Sequence, residues 1–347
     1  MDYKKLEIQI VSWLEKYLED SGLKGFVVGI SGGVDSAVVS TLCAKTKYPV
    51  YCIELPIHQH SDHVSRASNH IKWLQDNFKQ IEKFDIDLSD SFDVFSSKLS
   101  KNIAEDSSST ELADANLRSR MRMCALYYAS NMHGLLVAGT GNKVEDFGVG
   151  FFTVGGDGQV DLSPIADLLK TEVWEFSKYL GVNKEITDAI PSDGLWGDTR
   201  SDEDQLKASY PELEWAMSYL DEIEKFEPLS RPLSVSEEDL SPRQKEVLEV
   251  YTRLNSRNQF KMVPTPMFNA AGLRDKFKYT QDEIVDVVFD GLEEKDFLFI
   301  GEDGNTYSFD YSHFTYLEDE YRSDDVCEYL DSLKDMVEKN LAKKIPN

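Results

Sequence analysis

Gly25-Phe26-Val27-Val28-Gly29-Ile30-Ser31-Gly32-Gly33-Val34-Asp35-Ser36 joins a short apolar run to a glycine-rich turn and then to a helical pattern. Gly25 to Ile30 has the length and β-branched content of a strand buried on both faces of a parallel sheet. From Val34 to Ala44 the apolar residues Ala37, Val38, Val39, Leu42 and Cys43 read as a helix packed back on that strand. The loop between them therefore stands at a helix N-terminus, where unpaired backbone N–H groups and the positive end of the helix dipole favour an anion. Gly32 and Gly33 let the backbone approach that anion without a Cβ in the way, and Ser31 and Ser36 add hydroxyl donors. A carboxylate at position 35 repels a phosphate unless a cation lies between them, so Asp35 is read as a Mg²⁺ ligand. A tight turn without a ligand is the better account of a lone Gly-Gly pair. It is the weaker account of two hydroxyls, two glycines and an acid in one turn. The phosphate loop G-x-x-x-x-G-K-[ST] lacks its Lys here, and G-x-G-x-x-G lacks its third glycine, where Ser36 and Ala37 stand.

Outward from the loop, strand and helix patterns alternate. Residues 4–20 read as a leading amphipathic helix, 49–55 as a second strand, 62–78 as a helix and 80–88 as a third strand. A helix follows at about 112–132, and 133–140 is another apolar strand running into a Gly-rich turn. This order predicts an α/β fold, a doubly wound parallel sheet with helices on both faces. Ligands of such sheets bind at the carboxyl ends of the strands, so the loops after Ile30 and Ala138 are expected to face one crevice. Past residue 190 come a Gly, Asp and Ser rich loop, an acidic helix over 210–226 and a turn-rich connection over 228–242. The expected division is a first domain over 1–270 and an acidic, Tyr-rich C-terminal extension over 271–347, which carries no motif.

The formal charge of −26 argues against an electrostatic binder of nucleic acid or of an anionic membrane, because both need a basic face. Cys43, Cys52, Cys124 and Cys327 form no C-x-x-C pair, so they read as buried free thiols in a reducing cytosol. No apolar segment follows the N-terminal Met-Asp-Tyr-Lys-Lys, and none approaches the roughly 18 residues that span a bilayer. A soluble, cytoplasmic protein is expected. His58, His60 and His63 lack spaced partners for a metal and read as a loop and helix start.

The loop resembles the SGG-x-DS pyrophosphate loop of the ATP pyrophosphatases, which cleave ATP to AMP and pyrophosphate. The resemblance extends well past it. Asn116-Leu-Arg-Ser-Arg-Met-Arg-Met123 with Leu126 and Tyr127 is similar to the N-x-x-A-R-x-R-M-x-x-x-Y helix of ammonia-dependent NAD synthetases. Gly139 to Glu145 is similar to their G-T-x-x-x-x-E turn. Gly150-Phe-Phe-Thr153, Gly156-Asp157-Gly158, Asp161, Pro164 and Lys170 continue the same family's order, and Asp202-Glu203 with Ser209-Tyr210 matches its later D-E…S-Y pattern.

The resemblance implies an adenine nucleotide alpha-hydrolase-like fold and the amidation of nicotinic acid adenine dinucleotide by ammonia, with ATP as co-substrate and Mg²⁺. It implies an ATP site at Gly29, Ile30, Ser31, Gly32, Gly33, Val34, Asp35 and Ser36 with Thr140, Lys170 and Ser192, Lys170 reaching the phosphates. It puts Mg²⁺ on Asp35 and Glu145, the dinucleotide on Arg120, Asp161 and Lys261, and a homodimer in solution. Arg118, Arg120 and Arg122, spaced two apart on one helix of an acidic chain, point independently to an anionic ligand. Lys170 reads also as decoration of a helix begun by Ser163 at the N-cap and Pro164 behind it.

Four departures stand out. Val154-Gly155 replaces the family's Lys-Tyr, Gly150-Phe151 lies one residue further from Glu145 than in many members, Ser192 replaces a Thr, and Phe260-Lys261 replaces a His-Lys. Two rival functions remain on the sequence: a sulfur or nitrogen transferase acting on tRNA or another nucleotide, which calls for a basic face and catalytic cysteines, and a nucleotide sensor that does not turn over. The short segment before the loop has no room for a glutaminase, so free ammonia is the expected nitrogen source.

Overall fold

The computed structural model describes residues 1–103, 107–196, 200–226, 240–267, 296–300, 306–310 and 343–344. Contacts divide the chain into two compact units, Met1–Pro264 and Thr265–Asn347, so the first ends a few residues before position 270.

In the first unit, helix α1 (Tyr3–Ser21) precedes β1 (Gly25–Gly29), α2 (Val34–Lys45), β2 (Val50–Glu54), α3 (Ser61–Asn77), β3 (Ile81–Asp85), α4 (Ser89–Ile103), α5 (Ser107–His133) and β4 (Leu135–Val137). The strands form one parallel sheet in the order β3-β2-β1-β4. With β1 central and the order reversing beside it, the crevice above its carboxyl end is the switch point of the sheet.

Alternation along β1 splits the core. Phe26, Val28 and Ile30 join α1, α2 and α3 on one face, while Val27 meets Ile53, Met123, Leu126 and Val137 under α5 on the other. Helix α2 is buried from Val34 to Ala44 around nearly its whole circumference, which is why its sequence carries no polar stripe. The third and the last of the expected strands are the most shortened. The third is an edge strand whose far residues are exposed. In the last, α5 runs on to His133 and Gly134 closes it, so only Leu135–Val137 remain, with Ala138 bridging Leu162.

On α3, His70 is fully buried and its Nε2 lies 2.9 Å from Ser40 Oγ. Ser40 spends its own proton on the Ser36 carbonyl at 2.7 Å, so His70 donates and its Nδ1 is left without a partner among the described residues. Burial pulls the imidazole down to about 4. An unfolded His charges near 6.5, so this site contributes stability that is complete above 6.5 and lost as pH falls towards 4. Replacing His70 by Phe is expected to flatten denaturant-measured stability between those values by about 3 kcal/mol; an unchanged slope would show that the buried ring is not what makes the fold acid-sensitive.

After β4 the chain makes a π-helical turn (Val144–Val149), then α6 (Lys170–Leu180), α7 (Lys184–Thr187), α8 (Asp202–Leu206), α9 (Tyr210–Phe226) and α10 (Pro242–Met262). A second apolar cluster joins Val144 and Val149 of that turn to Tyr210, Leu213, Ala216, Val247 and Tyr251. Helix α6 begins at Lys170, not at Pro164: the expected cap at Ser163 belongs to a series of turns, and Glu172 caps the helix by accepting from Leu169 N at 2.9 Å.

In the second unit, β5 (Asp296–Ile300), β6 (Thr306–Asp310) and β7 (Lys343–Lys344) pair antiparallel in that order. The rest of the acidic extension, Cys327 and most of the turn-rich connection lie outside the described residues. Cys43 and Cys52 are buried thiols as expected, whereas Cys124 is exposed, because it falls on the outer side of α5.

Candidate active site

The loop after β1 is built as an anion cradle. Gly32 takes φ +81°, and a Cβ there would stand 2.5 Å from the His63 carbonyl, so this position accepts only glycine. Ser36 Oγ donates to Gly33 O at 3.0 Å and lies 3.0 Å from Ser31 Oγ, which in turn accepts from Gly33 N at 3.2 Å. Gly33 stands at the N-cap of α2 and offers no side chain, leaving the first-turn N–H groups turned toward the crevice. A cavity of about 270 Å³ opens there, lined by every residue from Gly29 to Ser36 and by Thr140, Glu145, Lys170 and Ser192.

Lys170 is the electrostatic centre of that cavity. Its side chain is 3% exposed, and its Nζ lies 2.6 Å from Asp35 Oδ2 and 2.8 Å from Glu145 Oε1. A positive charge in the first turn of α6 opposes the helix dipole, so the two carboxylates hold it there. Burial disfavours the ammonium, yet Asp35 and Glu145 outweigh burial and hold Lys170 above its ordinary value. Burial likewise pushes Asp35 up against the pull of Lys170. For Glu145 burial is outweighed by Lys170 and by a hydrogen bond from Tyr210, and its carboxyl sits below the usual range. Asn142 orders both acids: its Nδ2 donates to Asp35 Oδ1 at 3.2 Å and its Oδ1 accepts from Glu145 N at 3.2 Å.

Acids outnumber this one buried ammonium. Asp146, Asp157 and Asp202 also line the cavity. Burial and the neighbouring Glu145 push Asp146 up to about 8, and burial carries Asp202 up to about 7 against Lys170. Such a set takes up protons unless a cation neutralises it, and Asp35 and Glu145 already grip a cation between them in the form of Lys170. Among the described residues no three His, Cys, Asp or Glu side chains converge as a metal cage. Two carboxylates completed by phosphate and water are what Mg²⁺ ordinarily uses.

The three dinucleotide candidates lie elsewhere. Arg120 Nε donates to Val154 O at 3.1 Å, Asp161 accepts from Val137 N at 2.7 Å and Tyr127 Oη at 3.1 Å, and Lys261 Nζ donates to Phe152 O at 2.9 Å. None of the three lines the cavity. All three hold the segment 150–161 or its neighbour β4. Two arginines line it, Arg66 and Arg122; Arg122 is partly buried and donates to Leu55 O at 3.0 Å and Gln59 Oε1 at 2.7 Å, with no carboxylate paired to it among the described residues. Burial and Arg118 lower it to about 10, so it stays charged at neutral pH.

Sequence reading singled out no role for Asn142, Asp146, Asp157, Asp202 or Tyr210. Asn142 sits inside the Gly139–Glu145 turn, and Asp202 and Tyr210 inside the D-E…S-Y pattern, so the signal was present without a chemistry attached. The residues between Glu145 and Gly150 form the π-helical turn, which Gly150 ends at φ +63°. A π turn is how a helix takes in one residue while keeping its ends in register, and it recurs at functional sites.

A parallel doubly wound sheet with an anion cradle at β1–α2, faced by an acid–ammonium–acid cluster, defines a nucleotide-binding α/β protein. The model of the NAD synthase family matches residues 7–263. The NH(3)-dependent NAD(+) synthetase of Methanosarcina acetivorans is 34% identical over 267 residues, covering 77% of this chain and 98% of that one. That of Carboxydothermus hydrogenoformans is 38% identical over 213 residues, 59% of this chain and 82% of that one. Among solved structures, NMN synthetase from Francisella tularensis superposes with a TM-score of 0.64 at 29% identity, covering 78% of this chain and 99% of that one. The NH3-dependent NAD synthetase from Campylobacter jejuni, at 24% identity and a TM-score of 0.59 over 78% of this chain and 100% of that one, shares the fold. The chain belongs to the NAD synthase family.

Proposed function

We propose that the chain is an ammonia-dependent NAD synthetase, a ligase that amidates nicotinic acid adenine dinucleotide with ATP and releases AMP and pyrophosphate. The observation that carries this reading is the meeting of the Gly29–Ser36 cradle with Asp35, Glu145 and Lys170 in one cavity of a chain from this family. The open N–H groups of α2 and the hydroxyls of Ser31 and Ser36 receive the phosphates. Lys170 lies within reach of that cradle and supplies positive charge where pyrophosphate departs. The substrate carboxylate attacks the α-phosphorus, the bond to pyrophosphate breaks, and ammonia then displaces AMP from the acyl adenylate. Asp35 and Glu145 would hold Mg²⁺, which supplies charge neutralisation to the triphosphate and its leaving group.

Arg122 is positioned for the phosphates from the opposite wall. Arg120, Asp161 and Lys261 are assigned to the dinucleotide, at the segment they brace and not in the cavity. We also assign a homodimer and a cytoplasmic location; no helix among the described residues is long and apolar enough to cross a membrane.

The test is a steady-state assay of AMP release with ATP and Mg²⁺, comparing ammonium with glutamine. Because one solved relative is named an NMN synthetase, nicotinic acid mononucleotide is run beside the dinucleotide. Amidation of the dinucleotide with ammonium, and none with glutamine, is expected. Tight ATP binding with no AMP formed from either acceptor would instead identify a sensor.

A further inference from the structure

Tyr210 is fully buried at the start of α9, and its hydroxyl sits between two acids, 2.5 Å from Glu145 Oε1 and 2.9 Å from Asp202 Oδ2. A phenol has one proton to give and cannot satisfy two ionised carboxylates at once. If both acids were charged, one of these contacts would set lone pair against lone pair. The shorter bond goes to Glu145, which also accepts from the Lys170 ammonium at 2.8 Å. Asp202 is 4% exposed, its Oδ1 has no partner among the described residues, and burial raises it to about 7, so it carries its proton readily and can donate to the phenol from behind. Its ring is wedged edge-on against Trp174 at 5.9 Å between centroids and lies under Lys170 Nζ at 4.8 Å, so the hydroxyl has little room to turn away.

We propose that Tyr210 and Asp202 are positioning residues for Glu145, Tyr210 donating its hydroxyl proton to Glu145 Oε1 and Asp202 donating in turn to Tyr210. The chain Asp202 to Tyr210 to Glu145 sets the rotamer of the carboxylate before a cation arrives, as outer partners of metal ligands commonly do. It gives a chemical reason for the spacing of the D-E…S-Y pattern: α8 ends and α9 begins so that an acid and a phenol eight residues apart meet over the π-helical turn. The proposal rests on Glu145 being a cation ligand, and its test separates the two.

Binding of Mn²⁺ to the full chain, counted from the free-ion electron paramagnetic resonance signal with α,β-methylene-ATP present, is measured for the parent, Glu145→Ala, Tyr210→Phe, Asp202→Asn and Asp202→Ala. Tyr210→Phe is expected to weaken Mn²⁺ binding about tenfold or more while its melting temperature stays near the parent's. Asp202→Asn, whose amide still donates to the phenol, is expected to bind within about threefold of the parent, and Asp202→Ala about fivefold weaker. Parent-like affinity in Tyr210→Phe, with Glu145→Ala weakened, overturns the positioning role and leaves the metal site standing. Parent-like affinity in Glu145→Ala overturns the metal reading and this proposal with it. Should Tyr210→Phe fold poorly, the two Asp202 variants decide: rescue by Asn over Ala supports the relay, and equal affinity, or tighter binding by Asn than by the parent, refutes it.

Discussion

Asp35→Asn is expected to reduce turnover by about a thousandfold or more, about 4 kcal/mol of transition-state stabilisation, with AMP release at saturating Mg²⁺ as the measure. Asn keeps the size of the side chain and one acceptor oxygen, so the loop and its hydrogen bond from Asn142 at 3.2 Å have no steric reason to move. What disappears is charge. Asp35 is the acid in the first turn of α2, beside the N–H groups that receive phosphate, and it carries half of the negative charge that fixes Lys170 at 2.6 Å. Without it a cation loses one of two protein carboxylates and the ammonium loses its shorter anchor. A near-normal rate at saturating Mg²⁺ would remove Asp35 from the chemistry and leave it a structural partner of Lys170.

Lys170→Met has the largest expected effect on the fold itself. Methionine fills similar space but leaves Asp35 and Glu145 buried together without a counter-charge, a loss of about 3–5 kcal/mol. The sign with pH follows from that loss. With the ammonium gone Asp35 rises further above its unfolded value and Glu145 loses the partner that holds it below its own, so burial raises both and the folded state binds protons that the unfolded state does not. The deficit is therefore greatest at neutral pH and shrinks as pH falls toward the unfolded carboxylate range. Urea denaturation of parent and variant at pH 5 and pH 7.5 checks it; an equal deficit at both values would assign the loss to packing. Addition of Mg²⁺ is expected to restore part of the stability at pH 7.5, since an ion bound only by the folded state stabilises it by mass action. Turnover is not expected to return, because no positive charge then meets the departing pyrophosphate.

Both expectations turn on how local and distant information divide along this chain. The strand–loop–helix at residues 25–45 was readable because its signals are short-range: an apolar run, two glycines at a helix start and hydroxyls within one turn. The helix over 210–226 was readable for the same reason, its periodicity being internal to it. The start of the helix carrying Lys170 was misplaced because Ser163-Pro164 is a sound local cap signal that lost to tertiary demands. Lys170 has to enter the cavity, and α6 begins where Glu172 can close on Leu169 N. The last strand was over-extended because an apolar run does not reveal where a preceding helix stops.

The three arginines of α5 show the same limit more sharply. Their spacing announces an anion, but rotation about the helix axis alone decides which guanidinium reaches it. Arg122 turns toward the Gly29–Ser36 cavity, Arg118 donates to Leu195 O at 3.0 Å over the Phe92 ring, and Arg120 braces Val154. Val154 itself, standing where the family has Lys, is half exposed and lines no part of the cavity.

By itself the sequence determined the class of fold and the anion cradle with its Asp35, because these are written in residues a few positions apart, and the family resemblance pointed to Glu145 and Lys170 while Asp146, Asp157 and Asp202 carried no role in it. Tertiary structure alone decided that Lys170 would bridge Asp35 and Glu145, 135 and 25 residues away along the chain, at 2.6 and 2.8 Å. It alone placed Tyr210 and Asp202 behind Glu145 and wound Val144–Val149 into a π-helical turn. The physical reason is that charges in a shared low-dielectric cavity act on one another through a few ångströms of space, and that distance is set by the packing of α2, α6 and α9 around the π-helical turn and appears nowhere in the order of residues.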